Sequence, residues 1–302
     1  MKIAVNTPLT ETGPVQSVLA SPAIGVLRRA EKILLAYFIY IAATVSVRAE
    51  PRGTYLLAWT IPLMVWAAIV AQSRFSRGWS RVTRDWASLG LILVAYRELD
   101  WFAGRPALLV WQHTWIGWDR YLLNDIGLRS ALEHFGSFIP SGLEAVYLSL
   151  YGIPALCMGA LYWNGRRAKI DRFLTTLFLG TLCAYALLPL FPIQSPRFAY
   201  ANQDLPTYTS VWRSINVWLL DHCDISTSVF PSGHVAVAFS SAFGLIRALP
   251  DRRWLCAGVL TAAIIVFSST VYCRYHYVTD GLASIGISVG AWLLTEAMDR
   301  NA

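Results

Sequence analysis

Two short stretches carry side chains suited to chemistry: Ser228-Val-Phe-Pro-Ser-Gly-His234 and Arg274-Tyr-His-Tyr-Val-Thr-Asp280. The first reads as a turn running into an apolar helix. Pro231 suits a first helical position, where its missing N–H would go unpaired anyway. Ser232 and Gly233 then bring a hydroxyl and an approachable backbone N–H to the helix start. That is an anion site, because the helix dipole and the unpaired donors point the same way. His234 stands beside it. In the second stretch His276 and Asp280 are four residues apart and share a face if the segment is helical. A carboxylate that holds one imidazole nitrogen leaves the other free to attack. Two histidines, one ordered by Asp280, beside a phosphate-sized cradle with arginine nearby, point to phosphoryl transfer.

The elements that must position these residues are membrane helices. The chain has 302 residues, is 56% hydrophobic and carries 13 tryptophans, with a mean hydropathy of +0.47. Such a composition excludes an ordinary soluble domain and predicts an all-α, polytopic helical bundle. The net charge of +7 belongs to cytoplasmic loops rather than to a nucleic-acid surface. Its dominance by Arg, with Lys only at 2, 32 and 169, points to a GC-rich bacterial genome.

Apolar runs predict eight spans, near 33–47, 55–72, 86–104, 142–163, 173–191, 233–249, 254–272 and 279–297. The domain reading that follows is a cytoplasmic tail over 1–32, two additional N-terminal helices over 33–85 and a six-helix catalytic domain over 86–302. Residues 1–27 are polar and weakly patterned and show no cleavable signal sequence. Arg97, Glu98 and Asp100 interrupt the third span and are expected to pair with one another or face the bundle interior. With the N-terminus inside, the inner loops hold Arg28, Arg29, Lys32, Arg74, Arg77, Arg81, Arg84, Arg166, Arg167, Lys169, Arg172, Arg247, Arg252 and Arg253. The outer segments hold fewer basic residues, so the positive-inside rule sets both termini in the cytoplasm of an inner-membrane protein. This parity puts 192–232 and 273–279 on one outer, periplasmic side, so the two chemistry-bearing stretches face each other.

The long outer connection over 105–140 carries Trp111, Trp115 and Trp118 after Trp101. It reads as a segment in the headgroup layer, either an anchoring belt or a lid. His113, alone there, is expected to be a hydrogen-bonded surface residue. The five cysteines show no metal spacing. Cys223 and Cys273 either pair in an oxidising compartment or stay free. Asp221, His222 and Asp224 mimic a metal cluster, but three such residues close together in a loop are common by chance.

Pro231-Ser232-Gly233-His234, followed by His276-Tyr-x-x-Asp280, resembles the type 2 phosphatidic acid phosphatase superfamily, which includes lipid phosphatases, phosphosphingolipid synthases and vanadium haloperoxidases. The resemblance implies a six-helix core and metal-independent chemistry with no cofactor on a membrane lipid phosphate. It implies that His276 forms a phosphohistidine, that Asp280 fixes its tautomer and that His234 protonates the departing alkoxide. Arg197, Ser232, Gly233 and Arg274 would hold the phosphate oxygens. The chain departs from the widest family pattern in two places. The usual Lys is absent, and Pro196-Arg197 is similar to the Pro-Pro-Arg variant of the phosphosphingolipid synthases; a guanidinium there matches two phosphate oxygens. Ser269-Thr270 stands where the pattern places Ser-Arg, leaving Arg274 to supply charge from another direction. Three readings follow: a lipid phosphate phosphatase, a head-group transferase of the inositol phosphorylceramide synthase type, and a non-enzymatic lipid-phosphate carrier.

Overall fold

The computed structural model describes residues 27–47, 52–73, 78–102, 110–225 and 228–300. The tail up to residue 26, the stretch 103–109, Arg74, Arg77 and the side chain of Trp101 lie outside the described set. All described regular structure is helical. In chain order the helices are α1 (Arg29–Val47), α2 (Arg52–Ser73), α3 (Gly78–Phe102), α4 (Val110–Arg120), α5 (Leu128–Glu133), α6 (Phe138–Ser149), α7 (Ile153–Trp163), α8 (Ile170–Leu187), α9 (Pro196–Ala199), α10 (Val211–His222), α11 (Gly233–Ala248), α12 (Arg253–Tyr272) and α13 (Val278–Arg300).

Every predicted span falls on a helix or helix pair. Among the described residues, six stretches are long and apolar enough to cross a membrane, with α6 and α7 forming one of them over Phe138–Trp163. Helix α11 is apolar but shorter. Helix α3 is interrupted by charge, and Arg84, Asp85, Arg97 and Asp100 each take part in an ion pair. Arg84 forks onto Glu31 at 2.5 Å on both oxygens, and Asp85 pairs with Arg28 and Arg167. Arg97 pairs with Asp100 at 3.2 Å. Glu98 is fully buried and faces the interior.

Helix α8 is the centre of the bundle, packed by α1, α3, α11 and α13. Its close approach to α11 needs a residue without a side chain: a Cβ on Gly180 would lie 2.1 Å from Ser240 Oγ. Small residues at a crossing let helix backbones come close, which matters in lipid because packing rather than the hydrophobic effect holds the helices together.

One end of the bundle is knitted by ion pairs. Asp299 at the end of α13 takes Arg29, Arg172 and Arg247 from α1, α8 and α11. Helix α8 runs away from that end, while α11 and α13 run toward it. The start of α11, the start of α13 and the segment after α8 therefore gather at the opposite end. That is where both chemistry-bearing stretches lie.

The outer connection only partly follows the expected belt. Trp111 and Trp118 are exposed, but Trp115 turns inward, with its ring centroid 5.2 Å from Phe230 and 5.7 Å from Tyr277. The aromatic count of the segment is the same either way. The difference is that Phe230 and Tyr277, distant in sequence, offer Trp115 an apolar wall.

Candidate active site

Helix α11 starts at Gly233, two residues later than a first helical position at Pro231 would place it. Ser232 is the N-cap: its backbone is extended and its Oγ accepts from Val235 N at 3.3 Å. Pro231 thus precedes the cap. The cap leaves Gly233 and His234 in the first turn, whose N–H groups a helix cannot pair internally. Ser232 N donates to Asp280 O at 3.2 Å, and Ser284 Oγ donates to Ser232 O at 2.8 Å. These two bonds fasten the start of α11 to the start of α13.

His276 lies before α13, not on it, so its contact with Asp280 is not the helical one that the four-residue spacing suggests. The backbones of Tyr275 and His276 both donate to Thr270 O, closing the end of α12. Asp280, in the first turn of α13, reaches back so that its Oδ2 accepts Tyr277 N at 3.0 Å. This is one half of a capping box. The same oxygen lies 3.3 Å from His276 Nδ1, which is also 3.1 Å from Val229 O. Both neighbours are acceptors, so Nδ1 carries the proton and Nε2 offers its lone pair. His276 Nε2 is 3.2 Å from His234 Nδ1.

Each histidine of this pair lines a different cavity. A small one of about 60 Å³ is lined by His276, Arg197, Asp224 and Ser228, among others. A larger one of about 420 Å³ is mostly apolar and is lined by His234, Gly233, Trp86, Leu93, Tyr151 and Ala155, among others. Gly233 is required where it stands, since a Cβ there would lie 2.9 Å from Tyr185 Cε1. Burial pushes the His276 imidazole down to about 4, although the Asp224 carboxylate and the Val229 carbonyl pull the other way. His276 is therefore neutral near pH 7, as a nucleophile must be.

Arg197 lines the small cavity, resting 4.5 Å over the Phe198 ring and pairing with Asp221 at 2.9 Å. Arg274 is not among the lining residues. It is buried in an ion pair with Asp119 at 2.8 Å, and its backbone has a φ of 66°. The structure thus brings His234, His276, Asp280, Ser232, Gly233 and Arg197 together and sets Arg274 behind them.

The acidic loop does not converge. Asp221 goes to Arg197, His222 Nδ1 to Trp218 O at 2.8 Å, and Asp224 to the Tyr96 hydroxyl. Cys223 is exposed and Cys273 buried, and all five cysteines are free. His113 is exposed and bonded to the Tyr200 hydroxyl at 3.0 Å. Sequence reasoning missed Asp119 and Tyr96. Each makes its contact across more than a hundred positions, and nothing in the local pattern marks either one.

A family model described as PAP2 superfamily matches residues 131–294. That range contains both chemistry-bearing stretches and begins after α4. A PA-phosphatase related-family protein of Dictyostelium discoideum is 25% identical over 203 residues, which is 63% of this chain and 35% of that relative. The chain thus spans about a third of the length of the curated relative it matches. No solved structure matches the chain at a significant level.

Proposed function

The chain belongs to the PAP2 superfamily, and from that premise we propose that it is an integral membrane phosphatase acting on a lipid phosphate through a phosphohistidine. His276 Nε2 attacks phosphorus as the bond from phosphorus to the lipid oxygen breaks. His234 hands its proton to the departing alkoxide. Water then attacks phosphorus, His234 takes a proton from it, and the bond from phosphorus to nitrogen breaks to release phosphate. Arg197, Ser232 and the Gly233 N–H hold the non-bridging oxygens and offset the charge that develops on them. Asp280 keeps the attacking ring in its tautomer.

One observation carries this reading: the touching histidines stand between a cavity of about 60 Å³ bearing Arg197 and an apolar cavity of about 420 Å³. The first has room for a phosphoryl group and the second for part of a lipid chain. The scissile bond would cross from one to the other, with His234 on the leaving-group side.

The basic, ion-paired end of the bundle lies opposite the site. By the positive-inside rule that arrangement supports a site on the outer face, with both termini cytoplasmic.

The Pro196-Arg197 spelling favours a second reading, transfer of a phosphorylated head group to a lipid hydroxyl. The small volume beside His276 favours water as acceptor. The experiment is a panel of lipid phosphates offered to the purified protein in detergent with a chelator present. Release of inorganic phosphate supports the phosphatase. Head-group exchange onto ceramide or diacylglycerol without phosphate release supports the transferase. Binding with neither reaction supports a carrier.

A further inference from the structure

Asp119 lies on α4, before the residues that the family model matches. It is fully buried, and both of its oxygens are committed to the segment that carries His276. Oδ2 accepts from Arg274 Nη1 at 2.8 Å and Oδ1 from Val278 N at 3.0 Å. These partners stand two residues before and two residues after His276, so one carboxylate brackets the turn on which the imidazole sits.

The bracket has something to hold. Arg274 is a non-glycine residue in the left-handed region, with a φ of 66°, where its Cβ crowds the following carbonyl oxygen. Its guanidinium is buried, and Nε and Nη2 have no hydrogen-bond partner among the described residues. The ion pair with Asp119 is thus the contact that compensates this buried charge. Removing one partner of such a pair leaves the other uncompensated, which is far more costly than the pair is stabilising.

Helix α4 reaches the other parts of the site as well. Gln112 Nε2 donates to Gln194 O at 2.9 Å and to the Tyr277 hydroxyl at 3.2 Å. Trp115 packs against Phe230, next to the start of the Pro231–His234 stretch. The arms that bear Arg197, His234 and His276 are each touched, directly or through a neighbour, by one face of one helix.

We infer that Asp119 is a positioning residue for His276 and that α4 is the brace assembling the three arms of the site. The role assigned to His276 rests on the proposed phosphatase reading; the bracket itself does not.

The test uses the full-length protein in detergent, with Asp119→Ala and Asp119→Asn, and reads the site in two ways. The first is turnover of the lipid phosphate that the wild type prefers. A displaced imidazole should lower kcat roughly 10²-fold while KM stays within about threefold. Asp119→Asn, which keeps an acceptor for Val278 N but cannot neutralise Arg274, should fall between. Arg274→Ala added to Asp119→Ala should cost little more, because paired groups act as a unit. The second readout needs no substrate: carbethoxylation of His276 by diethyl pyrocarbonate, quantified by peptide mass spectrometry with exposed His113 as internal standard. It should be several-fold faster in both variants.

Folded variants with wild-type kcat and unchanged His276 reactivity overturn the inference. So does a variant whose melting point falls while both readouts per folded molecule are unchanged, since that is a structural contact alone. If Asp119→Ala does not fold, Asp119→Asn decides. Faster His276 modification in a protein that turns over no lipid phosphate upholds the bracket and removes the phosphatase reading.

Discussion

His234 Nδ1 and His276 Nε2, 42 positions apart in the chain, lie 3.2 Å from each other. The nitrogen that would attack phosphorus is therefore covered by the ring that would protonate the leaving group. A phosphoryl group has to enter between them. Reacting atoms in a near-attack arrangement are about 3 to 3.5 Å apart, so a trapped anion should hold the two nitrogens about 6 Å apart. Orthovanadate bound to the protein, followed by structure determination, checks this. An anion seated elsewhere with the histidine pair still closed would count against the assignment.

His276→Ala removes the proposed nucleophile, and His234→Ala removes the proton donor. Each should cut phosphate release roughly 10³-fold or more, with the double variant scarcely worse than either single one. The measurement is steady-state release with the melting point of each variant alongside. A His276→Ala protein with near-normal turnover would refute a phosphohistidine on this residue.

Acid should destabilise the fold through His276. Burial holds its folded value at about 4, below the usual histidine value of about 6.5 in the unfolded chain. The unfolded state therefore takes up the proton first. Stability is undiminished above about 6.5 and falls as the pH drops from there through about 4. Unfolding in detergent across that window should show a slope in the wild type that is reduced in His276→Gln. Equal slopes would mean that the imidazole is not held neutral by the fold.

Arg197 should change partners on binding phosphate. It is paired with Asp221, which is nearly half exposed, so the pair itself contributes little to stability. Asp221→Asn should free the guanidinium and lower KM a few-fold with kcat unchanged. Arg197→Ala should lower kcat roughly 10²- to 10³-fold, the loss expected for one donor to a developing charge. A rise in KM in Asp221→Asn would show that the carboxylate orients Arg197 instead of competing for it.

Gly233 should resist even the smallest side chain. Its added Cβ would meet the buried Tyr185 ring at 2.9 Å, and overpacking of this kind costs about 1 to 3 kcal/mol. Gly233→Ala should lower the melting point and the rate together, and Tyr185→Leu in the same chain should restore part of both. An unchanged rate in Gly233→Ala would show that the ring gives way without moving His234.

By itself the sequence determined the class of the protein, its helices and the candidate residues for its chemistry. Those are local properties: apolar run length, the small residues before His234, and the four-residue interval between His276 and Asp280. The match over 131–294 agrees with the family read from them. Only the tertiary structure decided how the parts are held. It capped α11 at Ser232, leaving Pro231 before the helix instead of at its first position, and it joined Asp280 to His276 by a turn rather than a helical face. It also buried Arg274 against Asp119, 155 positions away, and turned Trp115 inward from the expected belt. A periodic pattern records which face of a helix is apolar. It keeps no trace of which distant carboxylate a buried guanidinium will meet, because that choice depends on how the helices pack and on the cost of leaving either charge alone.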